Sequence, residues 1–303
     1  MNDIKKNIID RALSKNKKIC LPEISDSRIQ AAKNKLKKIG FNIVEIVDLE
    51  KKRDKYFKII SSKKFTKNWT SEMKLDYIDS DLNFSLLALD NDDIDCVVAG
   101  AVNTTSDVVR SAIRIIGLKK TTKWLSSVFF MLSPDNDNFY TYSDCGVIPD
   151  PNSEQLCEIA YQASQLHNLI SLNTPKVSFL SFSTLGSAEH YKVSRVQDAV
   201  KLFSSRYDDI IHDGEMQFDA AINLDVAKKK NCDNLLKADA NVFVFPDLNS
   251  GNIAYKITQY LAGYDAWGPL LNGLKLPVHD LSRGASIKDI INISAIAAYE
   301  SLS

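Results

Sequence analysis

Near the end of the chain, the stretch PVHDLSRGASIKDIINISAIAAYES sets Ser282, Arg283 and Gly284 in a loop ahead of a segment of helical period. Ser-Arg-Gly occurs once in the sequence, and Ser282 stands seven residues before Asp289, in the first turn of that segment. Two readings compete, helix capping and chemistry. Ser286 followed three positions later by Asp289 is a serviceable capping box, and the helix dipole alone favours an acidic residue there. Three further places invite a ligand. In VVAGAVNTTSDVV, FLSFSTLGSAEHY and VFVFPDLNSGNIAY an apolar strand runs into a loop of Gly, Ser, Thr or Asn that opens a helix. Such a loop leaves N–H groups facing outward at the carboxyl edge of a parallel sheet, where a phosphate or phosphoanhydride is the natural guest. N-capping by Ser106 or Asn249 and a tight turn at Gly186 or Gly251 explain the same composition equally well. The four histidines (His167, His190, His212 and His279) lack ligand spacing, so no metal site is expected.

The elements that must position these groups follow from hydrophobic periodicity. Apolar runs alternate with helical segments: KICLPE, a helix through IQAAKNKLKKIG, the strand FNIVEIV, then IDCVVAGA before a helix in SDVVRSAIRIIG. Around LSSVFFMLSPDNDNFYTYSDCGVI two runs flank Pro-Asp-Asn-Asp and predict an antiparallel hairpin. Alternation resumes with a helix in SEQLCEIAYQASQLH, the strand KVSFLSFS, a helix in RVQDAVKLFSS, the strand NVFVFP and a helix in NIAYKITQYLAG. This order predicts an α/β fold with mostly parallel sheets, in two halves divided near the hairpin at about residue 140.

At 303 residues and 45% hydrophobic content the chain can bury a core without staples. Its 38 basic and 38 acidic residues cancel, yet residues 1 to 75 hold 20 Lys/Arg against 9 Asp/Glu. Those basic residues are scattered through amphipathic segments without interleaved stacking aromatics, which reads as solvated helix faces and argues against nucleic acid. Five widely spaced cysteines with no CxxC pair point to reduced thiols in a cytoplasmic protein. Neither an apolar signal core nor a run long enough for a membrane span is present in the sequence.

At FSTLGSA, DGEMQFDAAI, ANVFVFPDLNSGNIAYKI, GPLLNGLKLPVHDLSRG and SIKDII the chain resembles the phosphate acetyltransferases (phosphotransacetylases) of the phosphate acetyl/butyryltransferase family. Upstream, LPEISDSR, VVAGAVNTTSDVVRSAIRIIG and YSDCGVIPDPNSEQLCEIA fit in the same order, so the match runs from residue 18 to 303. Phosphate butyryltransferases lack wording of the FPDLNSGNIAYK and DLSRG type, which favours the acetyl member. The resemblance implies two α/β domains, residues 1–140 plus 285–303 and residues 141–284, with an active-site cleft between them. It implies reversible acetyl transfer between coenzyme A and inorganic phosphate, with no metal and no tightly bound cofactor, in a homodimer. Coenzyme A, acetyl phosphate and phosphate are the implied small-molecule substrates.

Carried over residue by residue, the family's Ser and Arg fall on Ser282 and Arg283, and its catalytic Asp on Asp289. A thiol with pKa near ~8.5 is only partly ionised at neutral pH, so Asp289 is the expected general base for attack on the acyl carbon. Arg283 would stabilise the developing oxyanion and hold phosphate with its planar fork, while Ser282 would supply a further hydrogen bond. Substrate contacts are expected from Asn103, Thr104, Ser183, Thr184, Gly186 and Ser187. Where the family has an Arg in Leu-Arg-Lys-x-Lys-Gly-x-Thr, this chain reads KKFTKNWTSEM, with Lys64 as the nearest counterpart. A second family Arg, in a Thr-Arg-Pro-Gly turn, corresponds to Lys119, or Lys120, in GLKKTTKW. Lysine keeps the charge for coenzyme A's phosphates and loses the bidentate fork. His279, where the family has Asn, reads as a tolerated loop change. The rivals are a propionyl or butyryl transferase, a non-catalytic homologue that binds or regulates, and a dehydrogenase, the last disfavoured because no GxGxxG follows a strand.

Overall fold

The alternation of apolar runs and helical periods resolves into two compact units, Met1–Lys123 with Gly268–Ser303, and Trp124–Trp267. A computed structural model of the protein describes residues 4–230, 232 and 236–301.

In the first unit the order is α1 (Ile4–Leu13), β1 (Lys18–Cys20), α2 (Ser27–Ile39), β2 (Asn42–Ile43), α3 (Ile46–Leu49), α4 (Arg53–Ser62), α5 (Ser71–Ile78), α6 (Asp81–Asp90), β3 (Cys96–Ala99) and α7 (Thr105–Ile115). The second unit carries β4 (Ser126–Leu132), β5 (Phe139–Ser143), α8 (Ser153–Ser171), β6 (Lys176–Leu180), α9 (Tyr191–Arg206), β7 (Ile211–Met216), α10 (Phe218–Ile222), α11 (Leu224–Lys229), β8 (Val242–Val244) and α12 (Leu248–Leu261). Strand β9 (Asp265–Asn272) takes the chain back to the first unit, which closes with β10 (Val278–Asp280) and α13 (Ile287–Glu300).

The first unit's sheet has the order β10-β3-β1-β2, and every adjacent pair is parallel. Its strands are short, and β3 and β10 are buried throughout, as expected where helices cover a parallel sheet, while the edge strand β2 is half-buried. Helix α6 buries every residue from Leu82 to Leu89, and α13 buries Ile290 and an unbroken run from Asn292 to Ala298. These two helices are apolar all round because both lie inside the unit. Helix α2 opens on Asp26, whose side chain accepts the Arg28 N–H, and ends at Gly40 in the left-handed region (φ 112°).

The second sheet has the order β7-β6-β8-β5-β4-β9; β6–β7, β6–β8 and β5–β8 are parallel and β4–β5 is the expected hairpin. Because β5 also pairs with β8, the whole hairpin belongs to the second unit. One boundary therefore falls before β4, at Lys123, where about residue 140 was expected, and the other falls within β9, at Gly268, where about residue 285 was expected. A second difference is FNIVEIV: only Asn42 and Ile43 are strand, and the chain turns into α3 at Ile46. His279 is not in a loop but is the middle residue of β10, fully buried, with Nε2 2.9 Å from a Glu300 carboxylate oxygen. All five cysteines are free and buried.

Candidate active site

Strands β1, β3 and β10 are parallel neighbours, so the loops leaving their carboxyl ends share one edge of the first sheet. The loop after β1 brings Glu23, the loop after β3 brings Gly100 to Thr104, and the loop after β10 brings Ser282, Arg283 and Gly284. Glu23, buried, accepts the N–H groups of Ala101 (2.7 Å), Val102 (2.9 Å) and Asn103 (2.7 Å) and the Asn103 side-chain amide (2.8 Å). Arg28 joins the other two loops. Its guanidinium donates to the carbonyls of Arg283 (2.7 Å), Ala285 (3.0 Å) and Ala101 (3.2 Å). The same group pairs with Asp26 at 2.6 Å and holds that carboxyl below the usual carboxylate range.

Asp280 ends β10 with no exposed surface. Its Oδ2 accepts the Thr105 hydroxyl at 2.5 Å, and its Oδ1 has no well-aligned hydrogen-bond partner among the described residues. That oxygen lies over Gly100, where φ is +108° and a Cβ would come within 2.1 Å of it, so no side chain fits there. Burial, opposed by hydrogen bonds from the Thr105 hydroxyl and the Leu281 N–H and reinforced by the charge of Glu23, pushes the Asp280 carboxyl up to about 7.

Beyond Asp280, Ser282 and Arg283 are exposed, and the Ser282 hydroxyl accepts the Gly284 N–H at 3.3 Å. The Arg283 guanidinium makes no hydrogen bond or ion pair with any described residue, although its carbonyl is held by Arg28. The capping box at α13 is present: Asp289 Oδ2 accepts the Ser286 N–H (2.9 Å) and hydroxyl (2.8 Å), while the Asp289 N–H donates to Ser286 Oγ (3.2 Å). All of these bonds to the carboxylate use Oδ2, and Oδ1 is unbonded among the described residues.

In the second unit β5, β8, β6 and β7 run in parallel, so the loops after them also share an edge. Buried Glu215 accepts the Ser183 hydroxyl and the Gly186 N–H, each at 2.8 Å. Ser183 in turn accepts the Ala188 N–H (3.1 Å), Thr184 donates its N–H to Ser187 Oγ (2.9 Å), and Thr184 Oγ1 accepts the Gln217 N–H (3.1 Å). Ser183 and Thr184 are therefore turned inward, whereas Gly186 and Ser187 are exposed. Gly186 makes the tight turn (φ +82°), with open space where a Cβ would stand. Helix α9 begins only at Tyr191 with His190 as its N-cap, so this loop does not open the helix directly.

The caps also differ from expectation. Thr104, not Ser106, caps α7, and Asp247, not Asn249, caps α12 through the Ser250 N–H at 2.9 Å. Gly251 makes no turn; it lies inside α12 where a Cβ would come within 2.5 Å of the Asp144 carbonyl. The three loops share a plan that their composition concealed: Glu23, Glu215 and Asp247 each place a carboxylate of the chain itself on amides expected to receive a phosphate. The anion-binding capacity of the loops is thus largely consumed internally. Asp144, buried, repeats the plan by accepting the N–H groups of Gly146, Val147 and Ile148. Lys64 and Lys119 are exposed, the first opening a single 3-10 turn and the second donating its N–H to the Gly273 carbonyl at 2.9 Å. Glu23, Arg28, Thr105, Asp280 and Glu215 were not singled out in the sequence, though the acidic ones carry a readable signal: a charge at the end of an apolar strand run, as in LPE, VHD and DGEM.

The model of the Phosphate acetyl/butaryl transferase family matches residues 33–298. The chain belongs to that family. A phosphate acetyltransferase of Staphylococcus aureus strain Mu50 is 38% identical over the full length of both chains, and one of Acetivibrio thermocellus is 35% identical over 97% of this chain and 96% of its own. Among solved structures, a Streptococcus pyogenes phosphotransacetylase superposes with a TM-score of 0.88 at 32% identity, covering 100% of this chain and 99% of that one. The EutD phosphotransacetylase of Staphylococcus aureus gives 0.85 at 35% identity, covering 98% and 99%. As a member of the Phosphate acetyl/butaryl transferase family, the chain is an acyltransferase enzyme with a mixed α/β fold and mostly parallel sheets. In this chain the Ser282–Gly284 loop is fastened to Arg28 through the carbonyls of Arg283 and Ala285, leaving its own side chains exposed.

Proposed function

We propose that the protein is a phosphate acetyltransferase, transferring an acetyl group reversibly between coenzyme A and inorganic phosphate. The observation that carries this reading is the presence, six residues apart, of an Arg283 guanidinium without a partner among the described residues and an Asp289 carboxylate that keeps one oxygen unbonded. Asp289 Oδ1 takes the thiol proton as sulfur attacks the acetyl carbon; the carbon–oxygen bond to phosphate breaks as the thioester forms. Arg283 stabilises charge on the carbonyl oxygen and on the departing phosphate, and Ser282 adds a hydrogen bond. Coenzyme A is a substrate in this reading, not a resident cofactor. Lys64 and Lys119 serve its phosphates as single-point charges. Asn103 and Thr104 in the first unit, and Ser183, Thr184, Gly186 and Ser187 in the second, contact the substrates, each from a loop that a carboxylate, Glu23 or Glu215, already fastens.

The same reading makes the protein a cytoplasmic homodimer. Five free, buried thiols support the reducing compartment. Pairing of two copies is supported by an exposed apolar stripe on α12, with Ile253 56%, Ile257 53%, Tyr260 78% and Leu261 84% exposed. The deciding experiment is thioester formation from acetyl phosphate and coenzyme A by the purified protein, with propionyl and butyryl phosphate alongside. We expect acetyl phosphate to be the best donor and the active species to have twice the chain mass. Preference for a longer acyl phosphate would move the chain to the neighbouring substrate, and no thioester at any coenzyme A concentration would end the reading.

A further inference from the structure

Two buried carboxyl groups, Glu23 and Asp280, lie behind the loops of the first unit, and the mechanism above uses neither. Their surroundings differ. Glu23 receives four hydrogen bonds, three from main-chain N–H groups and one from the Asn103 amide, as an acceptor-only anion requires. Asp280 receives one from Thr105 and a weaker one from the Leu281 N–H, which is already bonded to the Ala99 carbonyl (2.7 Å), so its Oδ1 over Gly100 has no well-aligned partner among the described residues. A buried anion so poorly matched is costly, and a second charge beside Glu23 raises the cost. We propose that Asp280 is a positioning residue working as a neutral carboxylic acid, which ties the end of β10, and with it the Ser282–Gly284 loop, to the first turn of α7 through Thr105. Loss of its proton sets two like charges under that loop and loosens it.

Burial and Glu23 push this carboxyl up to about 7, in keeping with the geometry. Titratable groups come from each element packed against β10: Cys96 from β3, Asp107, Arg110 and Arg114 from α7, Lys288, Asp289 and Glu300 from α13, and Glu23, Asp26 and Arg28 from around the loop after β1. Of these, Glu23 is the one whose charge bears on Asp280. The sign follows from linkage. An unfolded aspartate loses its proton near ~3.9, so the folded state holds a proton that the unfolded chain has lost. The contribution to stability is present in full below the unfolded value and is lost as pH rises through about 7.

The activity side of this proposal rests on the acetyl-transfer reading; the stability side does not. Asp280→Asn mimics the neutral acid and Asp280→Ala removes the tie. We expect the unfolding midpoint of the parent to fall between about pH 4 and about pH 7 with a steeper slope than that of Asp280→Asn. In the acyl-transfer assay, Asp280→Ala should lower kcat roughly tenfold with little change in KM, and Asp280→Asn should restore most of that loss. The ratio of Asp280→Asn to parent kcat should rise with pH. Equal pH slopes of stability in parent and Asp280→Asn would overturn the proposal even if the protein forms no thioester at all. Asp280→Asn kinetics as poor as those of Asp280→Ala would overturn it as well.

Discussion

At Asp289 one oxygen closes the capping box of α13 and the other is unbonded, so stability and chemistry draw on different atoms of one carboxylate. Two substitutions separate them. Asparagine keeps an oxygen for Ser286 but cannot take a proton. Asp289→Asn should therefore lower kcat by roughly 10²–10⁴-fold while the urea midpoint stays close to that of the parent. Asp289→Ala should lose the same activity and, in addition, about 1 kcal/mol of stability with its half of the box. Undiminished kcat in Asp289→Asn would remove the residue from proton transfer. At the residue scale Ser282, Arg283 and Asp289 were reached through the resemblance, since an exposed Arg and an acidic first turn read equally well as a solvated loop and a helix cap. The carboxylates behind the loops were less legible still. Glu23 and Asp280 come together from strands far apart in the chain, and parallel pairing, not spacing, brings them there.

Among the elements, Gly100, where the chain leaves β3 beside the end of β10, is the described glycine at which an added Cβ would meet its neighbours most closely. Gly100→Ala would set a Cβ against Asp280 Oδ1 and the Leu281 main chain, with φ in the left-handed region, and nothing there is the free end of a long side chain. We expect a loss of about 3 kcal/mol in denaturant unfolding, large for a single methyl. A midpoint within error of the parent would show that the two strand ends can separate. The long, periodic or turn-bounded elements α2, α7, α8, α9 and the β4–β5 hairpin could be read from the sequence, because each has a continuous apolar stripe or a Pro-Asp turn. The short helices α3, α4 and α5 could not, since their few apolar positions are broken by lysines and aspartates within four to ten residues. Nor could β10, whose three residues Val-His-Asp read as loop until burial explains the charge. Caps were misplaced by two positions where several hydroxyl or amide residues stand together, as in Asn-Thr-Thr-Ser.

Over the whole molecule, the two units carry buried titratable groups of opposite effect. In the second unit His167 has no exposed surface, its Nδ1 lies 2.7 Å from Thr141 Oγ1, and burial lowers its pKa to about 4. An unfolded histidine takes its proton near ~6.5, so the unfolded chain binds more protons between the two values and stability falls as pH drops through that window. The loss should approach about 3 kcal/mol near pH 4. His167→Gln should flatten the acid limb of a urea-midpoint series, and an unchanged limb would assign acid sensitivity elsewhere. With Asp280 acting in the other direction, acid weakens the second unit while rising pH weakens the first. The division of the chain has a consequence for biosynthesis. The second unit is one continuous segment, whereas the first needs residues 268–303 for the edge strand β10 and for α13, which packs on α1 and α2. On a translating ribosome the second unit can therefore close while the first still waits for its last strand. Arg28 and Thr105 are made early, their partners in and after β10 very late, and a nascent chain cut short after Trp267 has neither Arg283 nor Asp289 to work with.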